Sequence, residues 1–353
     1  MSKELTGTLS RTILPVVLSA GVAVWLVRSD IDMSTIRSIR FDWHVFAGLL
    51  MALLFAFGRD FGLAWRFHTI ADGALTWKRA FRTDLMCAFT SAITPSVVGG
   101  SALAIFYLNQ EGIKLGRATT LTLTTLFLDE LFFVVFCPVI MLILPVDDLF
   151  GNEAAFSGGK AMFLGGIKLV FWLVYAGIVI WTAILYLAII GKPKMVENAL
   201  KRIAVWRIAR RFRKKLISTA DNMSATSEWV KGQDGRWWAK VICGTIISWF
   251  SRYFVVNALF WAFIPGSSQL LVFGRQFIVW VVLMVSPTPG GSGISEWLFA
   301  NYYGDLIGTV GIAAVMALIW RLFSYYIYLI IGMALLPAYF GERGRRRAEK
   351  AKQ

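Results

Sequence analysis

The same break interrupts apolar sequence twice. Thr94-Pro95-Ser96-Val97-Val98-Gly99-Gly100-Ser101 splits one hydrophobic stretch. Thr288-Pro289-Gly290-Gly291-Ser292-Gly293 splits another, without the three residues that separate Pro95 from Gly99. The flanks repeat as well. Phe57-Gly58-Arg59-Asp60-Phe61 precedes the first break and Phe250-Ser251-Arg252-Tyr253-Phe254 the second; Asp129-Glu130-Leu131-Phe132 follows the first and Trp320-Arg321-Leu322-Phe323 the second. Arg59 lies 35 positions before Thr94 and Arg252 lies 36 before Thr288. Glu130 lies 36 positions after Thr94 and Arg321 lies 33 after Thr288, the difference being the three-residue gap. Proline removes a backbone donor and disfavours helix at the preceding residue, and glycine permits turns that other residues resist. In hydrocarbon an unsatisfied backbone group costs several kcal/mol, so each break must be buried in protein or line a wet cavity. Broken helices in an internal repeat are the pattern of a transporter.

Composition requires a membrane. Of 353 residues, 57% are hydrophobic and 16% charged, and the mean hydropathy is +0.64; a soluble domain carries roughly a quarter of its residues as charges. Apolar stretches long enough to span, about 20 residues, occur at Arg11–Val27, Val45–Phe67, Ala118–Val146, Phe163–Ile190, Ala239–Phe263 and Thr309–Tyr339. Two more, at 83–108 and 270–300, carry the breaks. Arg11–Val27 has no small-residue cleavage site after it and is expected to be a retained helix. Cys87, Cys137 and Cys243 lie in apolar segments and are expected to be buried, with no disulfide framework. Two distant histidines give no basis for a metal site or a serine–histidine triad. No phosphate-loop motif is present, so ATP hydrolysis, cofactors and metals are not expected.

Charge sets an expected topology. The net charge of +15 is concentrated in Lys192–Lys215, in the tail 341–353 and, more weakly, in the loop Arg66–Arg82 (Arg66, Lys78, Arg79, Arg82). The positive-inside rule makes all three cytoplasmic. The loop Asp147–Lys160, with Asp147, Asp148 and Glu153, belongs outside. These assignments agree only if 83–108 and 270–300 are re-entrant hairpins, dipping from opposite faces and turning at their breaks. The expected fold class is therefore an all-α integral membrane bundle with two inverted-topology repeats, at 45–146 and 239–339, each containing a broken re-entrant helical hairpin. A basic amphipathic cytoplasmic connection, 192–236, joins them, with Val196, Leu200, Ile203, Ile208, Phe212 and Leu216 as its apolar face. Both termini are expected in the cytoplasm of a cell whose plasma (inner) membrane holds the chain. Trp237-Trp238 and Tyr302-Tyr303 read as interface anchors.

Ionisable residues in apolar sequence are candidate site residues, because each must face protein or water. These are Arg59, Asp60, Asp129, Glu130, Arg252, Glu296 and Arg321. Arg59 and Arg252 occupy equivalent repeat positions and suit a phosphate, which guanidinium binds through a two-pronged fork. Glu130 and Arg321 are also equivalent, with opposite sign, and are candidates to pair. The half-helices starting after Gly100 and Gly293 are expected to aim free N–H groups at the cavity. Glu296, three residues after Gly293, reads either as a cap for its half-helix or as a headgroup contact or proton carrier. Thr94, Pro95, Gly99, Gly100, Ser101, Thr288, Pro289, Gly290, Gly291, Ser292 and Gly293 complete the candidate substrate path.

Ser286-Pro287-Thr288-Pro289-Gly290-Gly291-Ser292-Gly293-Ile294-Ser295-Glu296 resembles the Pro-Gly-Gly-x-Gly-x-x-Glu motif of the lysylphosphatidylglycerol synthase transmembrane-region family, and Thr94-Pro95 with Gly99-Gly100 resembles that family's first break. The similarity spans roughly 45–340. In two-domain members this membrane region is regarded as a flippase for aminoacylated phosphatidylglycerol, served by a soluble aminoacyl-transferase domain. The resemblance places Pro289, Gly290, Gly291, Gly293 and Glu296 on the substrate path, and with the chain ending at Gln353 it implies the translocating half alone.

The function expected from all of this is lipid translocation. A charged headgroup enters a midplane cavity while the tails stay in the bilayer, with Glu130 and Glu296 as candidate coupling groups. The expected partners are membrane lipids, anionic or aminoacylated phospholipid; a homo-oligomer and a separate lipid-modifying enzyme are further candidates, and nucleic acid is not expected. The alternatives are an intramembrane transferase acting on a lipid phosphate and a small-solute or ion transporter. The first suffers because adjacent Asp129 and Glu130 point about 100° apart on a helix, a poor geometry for a shared metal.

Overall fold

The computed structural model describes residues 42–94, 99–151, 158–205 and 227–337, with isolated positions 21, 213 and 217. The Arg11–Val27 segment apart from position 21, the tail 341–353, Pro95 and most of the connection 206–226 lie outside the described residues, as does the side chain of Ser101; the burial of Gly99 and Gly100 is not described either. Every element among the described residues is helical. The long apolar stretches form five helices able to cross a bilayer, at 43–70, 115–143, 159–191, 235–263 and 310–337. The protein is thus an all-α, multi-pass membrane bundle.

The element order repeats. A long helix, α1 (Trp43–Ile70), leads to a shorter one, α2 (Trp77–Ile93). The break follows, then α3 (Gly99–Gln110) and the long α4 (Leu115–Ile143). After the short α5 (Val146–Phe150), α6 (Gly159–Tyr186) and the basic α7 (Pro193–Ile203), the sequence of lengths recurs. Long α8 (Gly235–Phe263) leads to α9 (Gln269–Leu283), the second break, α10 (Ile294–Tyr302), the single turn α11 (Gly304–Ile307) and α12 (Val310–Arg321). A wide π-helical turn, Leu322–Tyr326, continues α12 to 337. At about 1.5 Å per residue, the 15 residues of α9 and the nine of α10 are each too short to cross a hydrocarbon core of about 30 Å.

Small residues let the two leading helices approach. Gly48, Ala52 and Ala56 recur every fourth position on the buried face of α1, while Leu50, Leu53, Leu54 and Phe57 on its other side are exposed. Without water to drive association, such small faces allow backbone-to-backbone packing between membrane helices. A Cβ on Gly48 would meet Ala262, one on Gly58 would meet Ser251, and one on Gly62 would meet Gly244 and Ser248. Positions that advance along α1 therefore face positions that recede along α8. The leading helices of the two units run antiparallel, as an inverted pair would.

An aromatic core surrounds this seam on one side. Phe132 of α4 stacks between Trp249 and Phe277 with ring centroids 5.5 and 5.7 Å apart. Tyr302 and Tyr303 belong to this core and are not interface anchors. Each is 2% exposed or less, with the Tyr302 hydroxyl bonded to the Leu149 carbonyl and the Tyr303 hydroxyl to Gln276. Their polar ends find partners inside the protein, so neither needs the headgroup layer. Trp237 is also buried, and Cys243, expected inside, is exposed. In the connection, α7 carries Lys201 2.6 Å from Glu197 one turn earlier; the side chains of Val196, Leu200 and Ile203 and the remaining apolar positions, Ile208, Phe212 and Leu216, lie outside what is described.

Replacing Gly62 with alanine tests the seam. Its Cβ would stand 2.7 Å from the Gly244 carbonyl oxygen and 2.7 Å from the Ser248 nitrogen, and backbone cannot move aside as a flexible side chain can. The variant is expected to lose roughly 1–3 kcal/mol, read as a lowered thermal midpoint in detergent. Gly166→Ala on α6, whose Cβ meets nothing within 4 Å, serves as the control with an unchanged midpoint.

Candidate functional site

The two breaks touch. The Gly290 N–H donates to the Thr94 carbonyl at 3.2 Å, and the Tyr325 hydroxyl donates to the Ala92 carbonyl at 3.2 Å. Gly290 has a φ of +54°, and a Cβ there would collide with the Tyr325 ring and approach the Ala92 oxygen to 3.0 Å. Only glycine allows this approach. Beside the contact lies a cavity of about 210 Å³ walled by Arg59 and Arg66 of α1, Asp84 of α2, Asp129 of α4, Arg252 of α8, and Gly290 and Gly291 of the second break. Arg59 and Arg252, the repeat-equivalent arginines, therefore line one space.

Three ion pairs organise the wall. Arg66 holds Asp129 through both prongs, at 2.5 and 3.0 Å, and bonds Thr245 at 3.3 Å. Arg59 lies 3.2 Å from Asp60 and 4.2 Å from the centroid of the Tyr328 ring. Asp60 is not in the wall itself; it accepts the Tyr328 hydroxyl at 3.0 Å and anchors Arg59 from behind. Arg321 donates to Glu296 at 3.0 Å and to the Gly290 carbonyl at 3.1 Å, with its guanidinium 4.0 Å over the Tyr325 ring.

Arg252 differs from the other three. Its guanidinium lies against both Trp249 and Trp280, 4.7 and 4.4 Å from their ring centroids, where the two indoles meet edge to face with centroids 5.1 Å apart. It has no carboxylate partner among the described residues, and its Nε has no hydrogen-bond acceptor there. Trp249 is itself held by Asp129, which accepts its indole N–H at 2.9 Å. Aromatic faces attract the cation without neutralising it, so Arg252 presents a full positive charge to the cavity.

Several expectations are corrected here. Glu130 does not pair with Arg321. It lies in a separate groove against Leu173, Val174, Gly177, Ile178 and Trp181 of α6, while Arg321 is taken by Glu296, which approaches it from only 25 positions away. Glu296 is fully buried and acts as the cap: its second carboxylate oxygen accepts the Gly293 N–H at 2.8 Å and the Ser295 hydroxyl at 3.0 Å. The Glu296 carboxylate thus stands at the start of α10 in the place an anion would take and accepts the Gly293 N–H. Arg66 does not belong to the loop charge; it is inside α1 and 3% exposed. Thr288 bonds Ser286 at 3.1 Å, and Ser292 donates to the Pro289 carbonyl at 2.6 Å, so both shape the break. Sequence reasoning missed Arg66, Asp84, Trp249, Trp280, Tyr325 and Tyr328. Arg66 and Asp84 carried a signal, being charges inside amphipathic or apolar runs; the aromatic residues carried none.

Helices, seam and cavity define a multi-pass integral membrane protein built around a charged internal site. The chain belongs to the lysylphosphatidylglycerol synthase TM region family, whose model matches residues 12–332. It is also similar to a UPF0104 membrane protein of Archaeoglobus fulgidus, with 23% identity over 318 residues that cover 86% of this chain and 88% of that relative.

Removing the Glu296 carboxylate should be a structural lesion. Glu296→Ala leaves Arg321 buried without its partner and is expected to cost roughly 3–5 kcal/mol. The check is denaturation of the detergent-solubilised protein. A midpoint equal to that of the unmodified chain would refute the capping role.

Proposed function

We propose that the protein moves an amphiphile with an anionic headgroup, a phospholipid or aminoacylated phospholipid, between membrane leaflets. The phosphate sits in the cavity at Arg252 and the tails remain in the bilayer. The observation that carries this reading is Arg252 itself, a half-buried cation without a carboxylate partner among the described residues, in a wall where every other arginine has one. A phosphate supplies that missing charge and can take two parallel hydrogen bonds from the guanidinium. The volume of about 210 Å³, below the roughly 300 Å³ at which sites that enclose drug-sized ligands begin, suits a headgroup better than a whole lipid. Family membership supports a lipid-related role. In this reading the cavity binds and releases its ligand without making or breaking a covalent bond.

The antiparallel leading helices and the short helices at each break support the inverted, re-entrant arrangement in which the shared site can face either side. The basic segments orient it with both termini in the cytoplasm. Movement then requires the contact between Gly290 and Thr94 to open on one side and close on the other.

The test is transbilayer movement of a short-chain labelled phosphatidylglycerol in liposomes. Arg252→Ala should slow it roughly tenfold to a hundredfold, the loss of a charged hydrogen bond of about 1.5–3 kcal/mol. Arg252→Lys should recover only part, because ammonium lacks the planar fork and stacks poorly on aromatic rings. An Arg252→Ala protein that is folded and moves lipid at the unmodified rate would overturn the proposal, as would the absence of movement with every phospholipid headgroup tried.

A further inference from the structure

One buried acid in the cavity wall has no role in holding the headgroup. Asp84 lies on α2, is 2% exposed, and its Oδ2 has no hydrogen-bond partner among the described residues. The other acids at the site are all engaged: Asp60 by Arg59 and Tyr328, Asp129 by Arg66 and Trp249, Glu296 by Arg321 and the Gly293 N–H. The charged and titratable groups around Asp84 come from each neighbouring element. They are Arg59, Asp60 and Arg66 on α1, Asp129 on α4 and Arg252 on α8. Tyr328 adds its hydroxyl from the helix beyond α12, and Cys87 lies one turn further along α2. With the three pairs set aside, two ionisable groups without an ion partner among the described residues remain in one cavity: the guanidinium of Arg252 and the carboxyl group of Asp84.

We infer that Asp84 is a proton-binding site linked to occupancy of the cavity, so that a headgroup anion at Arg252 and a proton at Asp84 bind together and cross together. The inference rests on the headgroup reading above and names its energy source. In the empty cavity the cations of Arg59, Arg66 and Arg252 offset part of the cost of burying an ionised Asp84. A phosphate at Arg252 cancels one of these charges and brings a negative one beside a carboxylate that no donor stabilises. Two like charges in a poorly solvated space are relieved when one takes a proton. The only bond formed is the O–H of the Asp84 carboxyl, with the proton supplied by water on the side from which the headgroup enters. When the headgroup leaves on the other side, Arg252 is uncovered and the proton is released there. A singly charged phosphodiester then moves with no net charge, driven by a proton gradient.

The experiment is calorimetric titration of the full-length protein in detergent with dihexanoyl phosphatidylglycerol below its micelle concentration. It is run at one pH in two buffers of different ionisation enthalpy. The difference in heat counts protons taken up on binding. About one proton per bound headgroup is expected for the unmodified chain, and none for Asp84→Asn. The unmodified chain gives the answer without any variant, so a misfolded Asp84→Asn does not decide it. Binding with no proton uptake overturns this inference and leaves the headgroup reading intact. Uptake that persists in a folded, binding Asp84→Asn assigns the proton elsewhere and also overturns it. No binding by the unmodified chain overturns the headgroup reading, and this inference with it.

Discussion

The hydrogen bond from the Gly290 N–H to the Thr94 carbonyl is the constraint around which the rest of the site is arranged. A helix interrupted inside a membrane leaves backbone groups that lipid cannot satisfy. Here each break supplies partners to the other, and Tyr325 adds its hydroxyl to the Ala92 carbonyl from the side. The contact takes a group from each break, so it depends on both of them. The glycine at 290 belongs to the same contact, since its Cβ would occupy the space of Tyr325.

Once the breaks meet, the charges near them must be settled in a medium that solvates them poorly. The chain settles most of them locally and in pairs, which limits the desolvation penalty of each ion. Arg66 and Asp129 tie α1 to α4, and Arg321 and Glu296 tie α12 to α10. Each pair spans two elements of one unit. The long seam between α1 and α8 holds the units together instead through small residues and close backbones. The ion pairs thus stay within a unit, while the units meet through the small-residue seam and through hydrogen bonds such as Trp249 to Asp129 and Tyr328 to Asp60.

Much of the fold was legible in the sequence because its causes are local or periodic. Apolar length gave the five long helices, and proline with glycine gave the two breaks. The repeat spacing brought Arg59 and Arg252 to equivalent positions, and the structure places both on one wall. What symmetry could not show was which partner each charge takes. Glu130 and Arg321 correspond in the repeat, yet Glu130 faces α6, a helix with no counterpart in the repeat pattern. Glu296 was within reach of Arg321 through a turn and a short helix, and the capping geometry three residues after Gly293 fixed its direction. Local geometry therefore decided against the long-range pairing. Arg66 was read as loop because it closes an apolar run, but α1 extends to Ile70 and carries it inward.

The aromatic setting of Arg252 bears on how such a site can release what it binds. An arginine clamped by a carboxylate has little attraction left for a phosphate. An arginine in water is already satisfied by solvent. Against the edge-to-face pair of Trp249 and Trp280 the guanidinium is held in place by aromatic contact, which orients it while leaving its charge uncompensated. Trp249 cannot turn away, because its N–H is bound to Asp129 and through it to Arg66. Under the proposed function, a cation positioned this way is the group that attracts the headgroup anion. Lasting retention would defeat transport, however, and an ionisable neighbour that loses its proton as the anion departs gives Arg252 a replacement negative charge. Asp84, buried in the same wall without a donor of its own, is placed to supply it.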